Sequence, residues 1–223
     1  MHLVEYADRE MMELQVADTL AAALKNCLLM HDLASFAVPG GTTPGPIFDI
    51  LSGTHLDWNR VQVLLTDERW VPEEDPRSNT KLVKERLLTD HAAAASFLPF
   101  YRDGMEVDAG CRAASEAFTD TFPISLLVLG MGGDMHTASL FPGAEGLAQA
   151  LASDAPPLCP IRDPGQEIAR ATLSAPYLRG AMETHVLITG EEKRAALEKA
   201  RSLPPEEAPI SLVLGDATVH WAA

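Results

Sequence analysis

The strongest candidate for chemistry is the segment from Gly130 to Pro142, in which Asp134 and His136 follow a glycine-rich turn. An imidazole ordinarily titrates at a pH of about 6.5, so His136 could accept a proton at cellular pH. Asp134 could hold the ring in one tautomer and stabilise the imidazolium. A buried histidine bonded to the backbone is the alternative. The position directly after the apolar run 124–129 favours catalysis, because loops at strand ends carry the sites of open α/β sheets.

A second glycine-rich turn, Gly40-Gly41-Thr42-Thr43-Pro44, follows a short apolar run. Its glycines allow the backbone to approach a ligand closely, and Thr42 or Thr43 could cap the next helix, whose first turn suits Pro44. The exposed N–H groups at a helix start bind anions well. The pattern favours phosphate binding, although a tight strand-to-helix turn with an N-cap would have the same residues.

Charged residues follow a third apolar run, 61–65, as Asp67-Glu68-Arg69. These side chains could bind sugar hydroxyls, act as bases or steady a developing anion. A surface ion-pair cluster is the alternative interpretation. Ser78, which precedes Asn79, could cap a helix that begins there.

Two further cations, Arg170 and Lys193, lie later in the chain, and Lys193 follows Gly190 at a predicted helix start. A lysine in the first turn opposes the helix dipole, typically by about 0.3–1 kcal/mol. This placement is easier to explain if Lys193 neutralises a bound phosphate. An exposed lysine that points away from the helix end agrees with the sequence equally well.

The elements that must position these residues are strands that alternate with helices. Apolar runs predict strands at 35–38, 61–65, 124–129, 184–189 and 210–214. Helices are predicted at 9–30, 78–88, 108–121 and 190–201. Proline clusters predict a loop at 153–165 and a rigid linker at 202–209. The alternation indicates an α/β protein, with a Rossmann-like, open, mostly parallel sheet and helices on both faces in three layers, as a single domain over residues 1–223.

Composition and missing motifs exclude several classes of protein. The formal net charge of −15 argues against a nucleic-acid or anionic-membrane partner, since both need a basic face, but not against a small anionic substrate. The cysteines Cys27, Cys111 and Cys159 form no zinc motif and suit a reducing cytosol, so we expect a cytoplasmic protein. Neither a signal peptide nor a membrane span is expected. The motifs of P-loop enzymes, serine hydrolases, zinc hydrolases and dinucleotide-binding folds are missing.

Taken together, these segments resemble the 6-phosphogluconolactonase family, within the glucosamine-6-phosphate isomerase/6-phosphogluconolactonase superfamily. The resemblance runs in order from about residue 4 to Trp221. The long histidine segment is the most specific part of it. The matching motifs are Gly40-Gly41-Thr42-Thr43-Pro44, Asp67-Glu68-Arg69, Ser78-Asn79, the run 129–143 around His136, Arg170-x-Thr172-Leu173-Ser174 and Gly190-x-x-Lys193.

The resemblance implies hydrolysis of 6-phospho-D-glucono-1,5-lactone to 6-phosphogluconate, in the oxidative pentose phosphate pathway. It implies that His136 is the general base that activates water, that Asp134 orients His136, and that Arg69 steadies the histidine's surroundings or the developing negative charge. No metal or organic cofactor is implied, and the expected partner is the sugar-phosphate lactone, bound by a monomer or small homo-oligomer. The implied phosphate-binding residues are Gly40, Gly41, Thr42, Thr43, Arg170 and Lys193. Those implied to contact sugar hydroxyls or to support such contacts are Asp67, Glu68 and Asn79.

One residue departs from the family pattern, because Met135 stands where the family usually has glycine. Methionine would be strained there if the position needs a positive φ. The sequence therefore predicts either an extended backbone at Met135 or a locally shifted loop.

Two rival functions stay open. An amino-sugar-phosphate isomerase/deaminase on the same scaffold typically has Asp-Glu-Tyr and, after its histidine, Ile-Ala-Phe-Asn-Glu-Pro. This chain instead has Arg69 and Thr-Ala-Ser-Leu-Phe-Pro at 137–142, which favours the lactonase. The second rival is a non-catalytic sugar-phosphate sensor of the kind attached to repressors, although no helix-turn-helix segment is evident in the sequence.

Overall fold

The computed structural model describes residues 1–118 and 121–223, whose backbone forms strands and helices in alternation. The strands are β1 (His2–Glu5), β2 (Ala34–Val38), β3 (Val61–Leu65), β4 (Asp67–Arg69), β5 (Ser96–Leu98), β6 (Leu126–Gly130), β7 (Leu158–Ile161), β8 (Arg170–Leu173), β9 (Thr184–Thr189) and β10 (Thr218–Ala222). The helices are α1 (Arg9–Met30), α2 (Gly45–Ser52), α3 (Asn79–Arg86), α4 (Val107–Ala117), α5 (Leu147–Leu151), α6 (Ala175–Arg179) and α7 (Glu191–Ala200).

The main sheet is parallel and has seven strands in the order β1-β10-β9-β6-β2-β3-β5. From β2 the chain proceeds to β3 and β5 on one side, whereas β6, β9 and β10 lie on the other. All five residues of β2 are buried, as expected for a strand covered on both faces. The prediction of a three-layer α/β fold is confirmed. A reversal of strand order opens a crevice at the carboxyl ends of the strands that flank it, here β2 and β6.

A smaller antiparallel sheet, in the order β4-β8-β7, lies beside this crevice. β4 follows β3 after one residue, so the main sheet determines where it begins. Within the β4–β8 pair, Arg69 lies directly opposite Arg170. The small sheet therefore brings together two arginines that are about a hundred residues apart in sequence.

Three elements have the bounds that the sequence predicts: helix α1 at 9–30, strand β3 at 61–65 and strand β9 at 184–189. The other predicted strands and helices are confirmed with ends that shift by a few residues, except for the strand at 210–214. The predicted helix 108–121 corresponds to α4, and two of its residues, 119 and 120, lie outside the described part of the chain.

Two predictions in the second half of the chain are wrong. The predicted loop at 153–165 contains β7, an edge strand, where the missing N–H of Pro160 is tolerated. The predicted strand at 210–214 overlaps a 3-10 helix, Pro209–Leu212, and the last strand is β10. A short apolar run does not distinguish a strand from a buried helical turn, and the proline at the first position of this segment suits the turn.

Within the described residues, no helix combines the length and the apolarity needed to cross a membrane.

Candidate active site

A cleft of about 270 Å³ opens where β2, β3, β6 and β9 end. It brings together most of the side chains that the sequence singles out. The predicted site residues that line it are Gly40, Gly41, Thr42, Thr43, Asp67, Arg69, Asn79, His136, Arg170 and Lys193. Asp134 and Glu68 do not line the cleft, and each instead contacts a residue that does.

His136 and Asp134 form a hydrogen-bonded pair at the β6 end of the cleft. His136 Nδ1 lies 2.5 Å from Asp134 Oδ1. A carboxylate accepts only, so the neutral ring donates through Nδ1–H and leaves Nε2 with a free lone pair. The ring also packs against Phe141, with a centroid separation of 4.5 Å. With 30% of its side chain exposed, His136 is accessible to a water molecule and to a ligand in the cleft.

The loop that carries this pair is a tight turn. Gly132 N–H donates to the His136 carbonyl and Met135 N–H donates to the Gly132 carbonyl, each at 3.0 Å. A Cβ on Gly132 would lie 2.2 Å from His136 Nδ1, so the imidazole packs directly on bare backbone. Glycine at position 132 is therefore required by the close approach of the ring.

Met135 has a φ of +68°, in the left-handed region. The extended backbone that the sequence suggests as one alternative for this residue is thus wrong. The conformation costs an ordinary residue about 1–2 kcal/mol relative to right-handed backbone. Only 9% of Met135 is exposed, and its carbonyl accepts a hydrogen bond of 3.2 Å from Ile210 N–H. Burial and this hydrogen bond offset the strain.

The loop before α2 lies across the cleft from β6. Gly41 has a φ of +92°, which favours glycine. A Cβ on Gly40 would lie 1.9 Å from Asn79 Oδ1, so Gly40 permits close packing against Asn79. The prediction that Thr42 or Thr43 caps α2 is wrong, because Pro44 occupies the N-cap position and no side-chain cap is formed. The threonine hydroxyls make no hydrogen bond to the described residues.

Three cations give the cleft a positive character within an acidic protein. Arg69 and Arg170 face each other across β4 and β8, and the buried Nε atom of each finds no hydrogen-bond partner among the described residues. Burial lowers the pKa of Arg170; the carboxylate of Asp67, 3.7 Å away, opposes this effect, and Arg69 adds to it. Lys193, in the first turn of α7, makes no ion pair within the described part of the chain. An anion in the cleft would relieve the repulsion between the arginines.

Glu68 is fully buried and holds the start of α3. Its carboxylate accepts backbone N–H groups from Arg69, Asn79 and Thr80, each at 2.8 Å, and the Ser78 hydroxyl at 3.1 Å. Burial raises the pKa of Glu68, and the three N–H donors oppose that rise. Ser78 caps α3 as predicted, by accepting Lys81 N–H. Glu68 therefore supports Asn79, which reaches the cleft, rather than contacting a ligand itself.

Asp67 lines the cleft and is held by a residue that sequence reasoning did not single out. Ser139 Oγ donates to Asp67 Oδ2 at 2.5 Å, and the Ser139 N–H donates to Thr172 Oγ1 at 3.2 Å. Ser139 thus connects the histidine loop with both strands β4 and β8. The position of Ser139, three residues after His136, is the feature of the sequence that could have identified it. Its partner Asp67, however, lies 72 positions away in sequence.

No group of three or more His, Cys, Asp or Glu side chains in residues 1–118 and 121–223 is arranged to hold a metal ion.

Comparisons with known proteins agree on one family. A family model described as "Glucosamine-6-phosphate isomerases/6-phosphogluconolactonase" matches residues 7–221. A 6-phosphogluconolactonase of Caulobacter vibrioides is 38% identical over 199 residues, which cover 88% of this chain and 86% of that relative. The crystal structure of a 6-phosphogluconolactonase from Shewanella baltica has a TM-score of 0.95 at 30% identity, over 100% of this chain and 98% of that one. A monomeric glucosamine-6-phosphate deaminase shares the fold, with a TM-score of 0.78 at 19% identity over 100% and 97% of the two chains.

Proposed function

The chain belongs to the glucosamine-6-phosphate isomerase/6-phosphogluconolactonase family, and from that premise we propose that it hydrolyses 6-phospho-D-glucono-1,5-lactone to 6-phosphogluconate. The observation that carries the proposal is the His136–Asp134 pair, whose histidine lines a cleft that also contains three cations. A base beside a positively charged cleft is what the hydrolysis of an anionic ester requires.

In the proposed reaction, His136 Nε2 accepts a proton from a water molecule as its oxygen bonds to the lactone carbonyl carbon. Asp134 keeps the proton on Nδ1 and stabilises the imidazolium. The carbonyl π electrons move onto oxygen, and Arg69 is our candidate for stabilising that oxyanion. When the intermediate collapses, the bond from the carbonyl carbon to the ring oxygen breaks, and the imidazolium returns its proton to the ring oxygen. The carboxylic acid that results then loses a proton to solvent.

The substrate phosphate would lie between the loop at Gly40–Thr43 and the side chains of Arg170 and Lys193. Free hydroxyls at Thr42 and Thr43, a positive φ at Gly41 and the unpaired Lys193 support this placement. A phosphate held away from the reacting carbon orients the carbonyl toward His136. Asp67 and Asn79 would then face the sugar hydroxyls, with Glu68 holding Asn79 in place.

An amino-sugar-phosphate isomerase/deaminase is the second candidate, because a glucosamine-6-phosphate deaminase shares the fold. A fold common to both does not separate the two activities. Arg69 and the residues at 137–142 favour the lactonase, since they depart from the deaminase pattern and agree with the lactonase pattern.

Enzyme assays separate these functions directly. Freshly generated 6-phosphogluconolactone should disappear faster with enzyme than by spontaneous hydrolysis, as followed by coupled oxidation of the 6-phosphogluconate formed. Glucosamine-6-phosphate should release no ammonia. Lactone decay at the spontaneous rate, with or without tight binding of the sugar phosphate, would reject the proposal, and binding alone would favour the non-catalytic sensor.

A further inference from the structure

The backbone around His136 is unusual because two nearby residues with a Cβ, Met135 and Ala138, have positive φ angles of +68° and +48°. Such conformations persist only when the surroundings enforce them, and they concentrate at functional sites. At Met135 the chain reverses so that the side chains of Asp134 and His136 come together, with 2.5 Å between Oδ1 and Nδ1. The angle at Met135 therefore determines whether these two side chains meet.

Met135 is held in this conformation by contacts on three sides. Its side chain is buried within the main hydrophobic core. Its N–H donates to the Gly132 carbonyl, and its carbonyl accepts the N–H of Ile210, which is itself fully buried. Ile210 lies in the 3-10 helix Pro209–Leu212, so a segment far along the chain fixes the histidine loop.

We propose that Met135 is a positioning residue, whose buried side chain anchors the loop and keeps His136 in register with Asp134. A glycine at this position would adopt the same φ without strain, but it would also have many other conformations available and no side chain to anchor. Methionine instead adopts a strained φ, and its buried side chain restricts the loop to this conformation. This inference rests on the proposed role of His136 as the base.

The test compares Met135→Gly and Met135→Leu with the unmodified protein, by steady-state kinetics and by the ¹⁵N shifts of the His136 ring. We expect Met135→Gly to lower kcat about 10-fold or more, with KM changed by less than about twofold, because a small misplacement of a catalytic group is costly while the phosphate contacts remain. Met135→Leu, similar in size and equally apolar, should retain kcat within about twofold.

The ring shifts provide a readout that loss of stability alone would not change. In the unmodified protein the neutral ring should be protonated at Nδ1, the atom that faces Asp134. In Met135→Gly the Nε2–H form should gain population. If Met135→Gly does not fold, Met135→Ala removes the same anchor and is measured in its place.

Met12→Ala is the matched control, because Met12 is also a buried methionine, on α1 and within the same core. It should lower the melting temperature but leave kcat and the His136 shifts unchanged. The proposal is overturned if Met135→Gly has unmodified kcat and ring shifts, or if Met12→Ala lowers kcat as much. Should the unmodified protein lack lactonase activity, the proposed function fails, whereas the ring shifts still decide whether Met135 positions His136.

Discussion

Positive charge at the cleft depends on a few individual side chains, since the chain as a whole has a formal net charge of −15. Arg170 already contacts Asp67 and Gln166, and Arg69 donates to the Arg77 carbonyl at 2.6 Å. Lys193 makes no such contact within the described residues, although it lines the same cleft. An unpaired ammonium at the first turn of a helix is the group best suited to receive a substrate phosphate.

We predict that Lys193→Ala raises KM for the phosphorylated lactone by about 10- to 100-fold, the equivalent of one charge-assisted hydrogen bond. The turnover number should change much less, because the reacting carbon is distant from the phosphate. Steady-state kinetics with 6-phosphogluconolactone and with unphosphorylated gluconolactone measures both effects. Lys199→Ala, on the exposed side of the same helix, is the control and should behave as the unmodified protein. Equal KM values for Lys193→Ala and Lys199→Ala would remove Lys193 from the phosphate site.

Residue types and spacing were sufficient to predict the pair Asp134 and His136, because both lie in one short loop. The role of Glu68 could not be predicted in this way. Three of its four donors lie in or beside α3, ten or more positions later, and only folding buries its carboxylate. The conformation of Met135 was also unpredictable, because the contact that supports it comes from Ile210.

At the scale of elements, the start of α3 depends on a buried carboxylate from another element, Glu68 of β4. Its first N–H groups would have no partner without Glu68 and the cap from Ser78. Through Asn79, which donates to the Asp67 carbonyl at 2.8 Å, the start of α3 is joined to β4 and to the cleft. The helix and the small sheet are therefore expected to lose order together.

We predict that Glu68→Ala lowers the free energy of unfolding by about 3 kcal/mol or more, because it leaves several buried donors without an acceptor. Chemical denaturation followed by circular dichroism measures the change. Glu73→Ala is the control, because Glu73 forms an exposed ion pair with Lys84 of α3. Loss of this ion pair should lower the free energy of unfolding by less than about 1 kcal/mol. Similar losses for the two variants would contradict a structural role for Glu68.

Strands and helices were predictable from the sequence wherever apolar periodicity and length agreed, as in α1 and β3. Prediction was wrong for the run 210–214, whose apolar side chains are buried by a helical turn instead of a strand. It was also wrong at β7, where proline suggested a loop but the edge of the small sheet accommodates it. In both places tertiary packing overrides the local signal.

At the scale of the whole molecule, a chain of four polar side chains links β1, β10 and β9, with the buried His185 and His220 at its centre. Tyr6 hydroxyl lies 2.7 Å from His220 Nδ1, His220 Nε2 lies 2.9 Å from His185 Nδ1, and His185 Nε2 lies 2.9 Å from Glu183. Burial is the main cause that lowers the pKa of His220 from 6.5 to about 4, and the nearby His185 and His2 contribute to the same shift. The folded protein thus holds His220 neutral in a range of pH where the unfolded chain is protonated.

This difference makes the stability of the fold depend on pH. The contribution of neutral His220 is fully present above pH 6.5 and is lost as the pH falls toward about 4, because the unfolded chain takes up the proton first. We predict that the loss reaches about 2 kcal/mol at a pH of about 5. Chemical denaturation at pH 7 and at a pH of about 5 measures the difference in the free energy of unfolding. His220→Gln should reduce this difference, whereas His31→Gln, at an exposed site, should not. An unreduced difference in His220→Gln would assign the acid sensitivity to other groups.

The most direct test of the central claim is the turnover of His136→Ala on freshly generated 6-phosphogluconolactone, corrected for spontaneous hydrolysis. The variant should fold normally, because His136 is partly exposed and its ring packs on glycine and Phe141 at the surface of the cleft. Loss of a positioned general base predicts a fall in kcat of at least about 100-fold. Turnover close to that of the unmodified protein, in a folded His136→Ala, would contradict the assignment of His136 as the base.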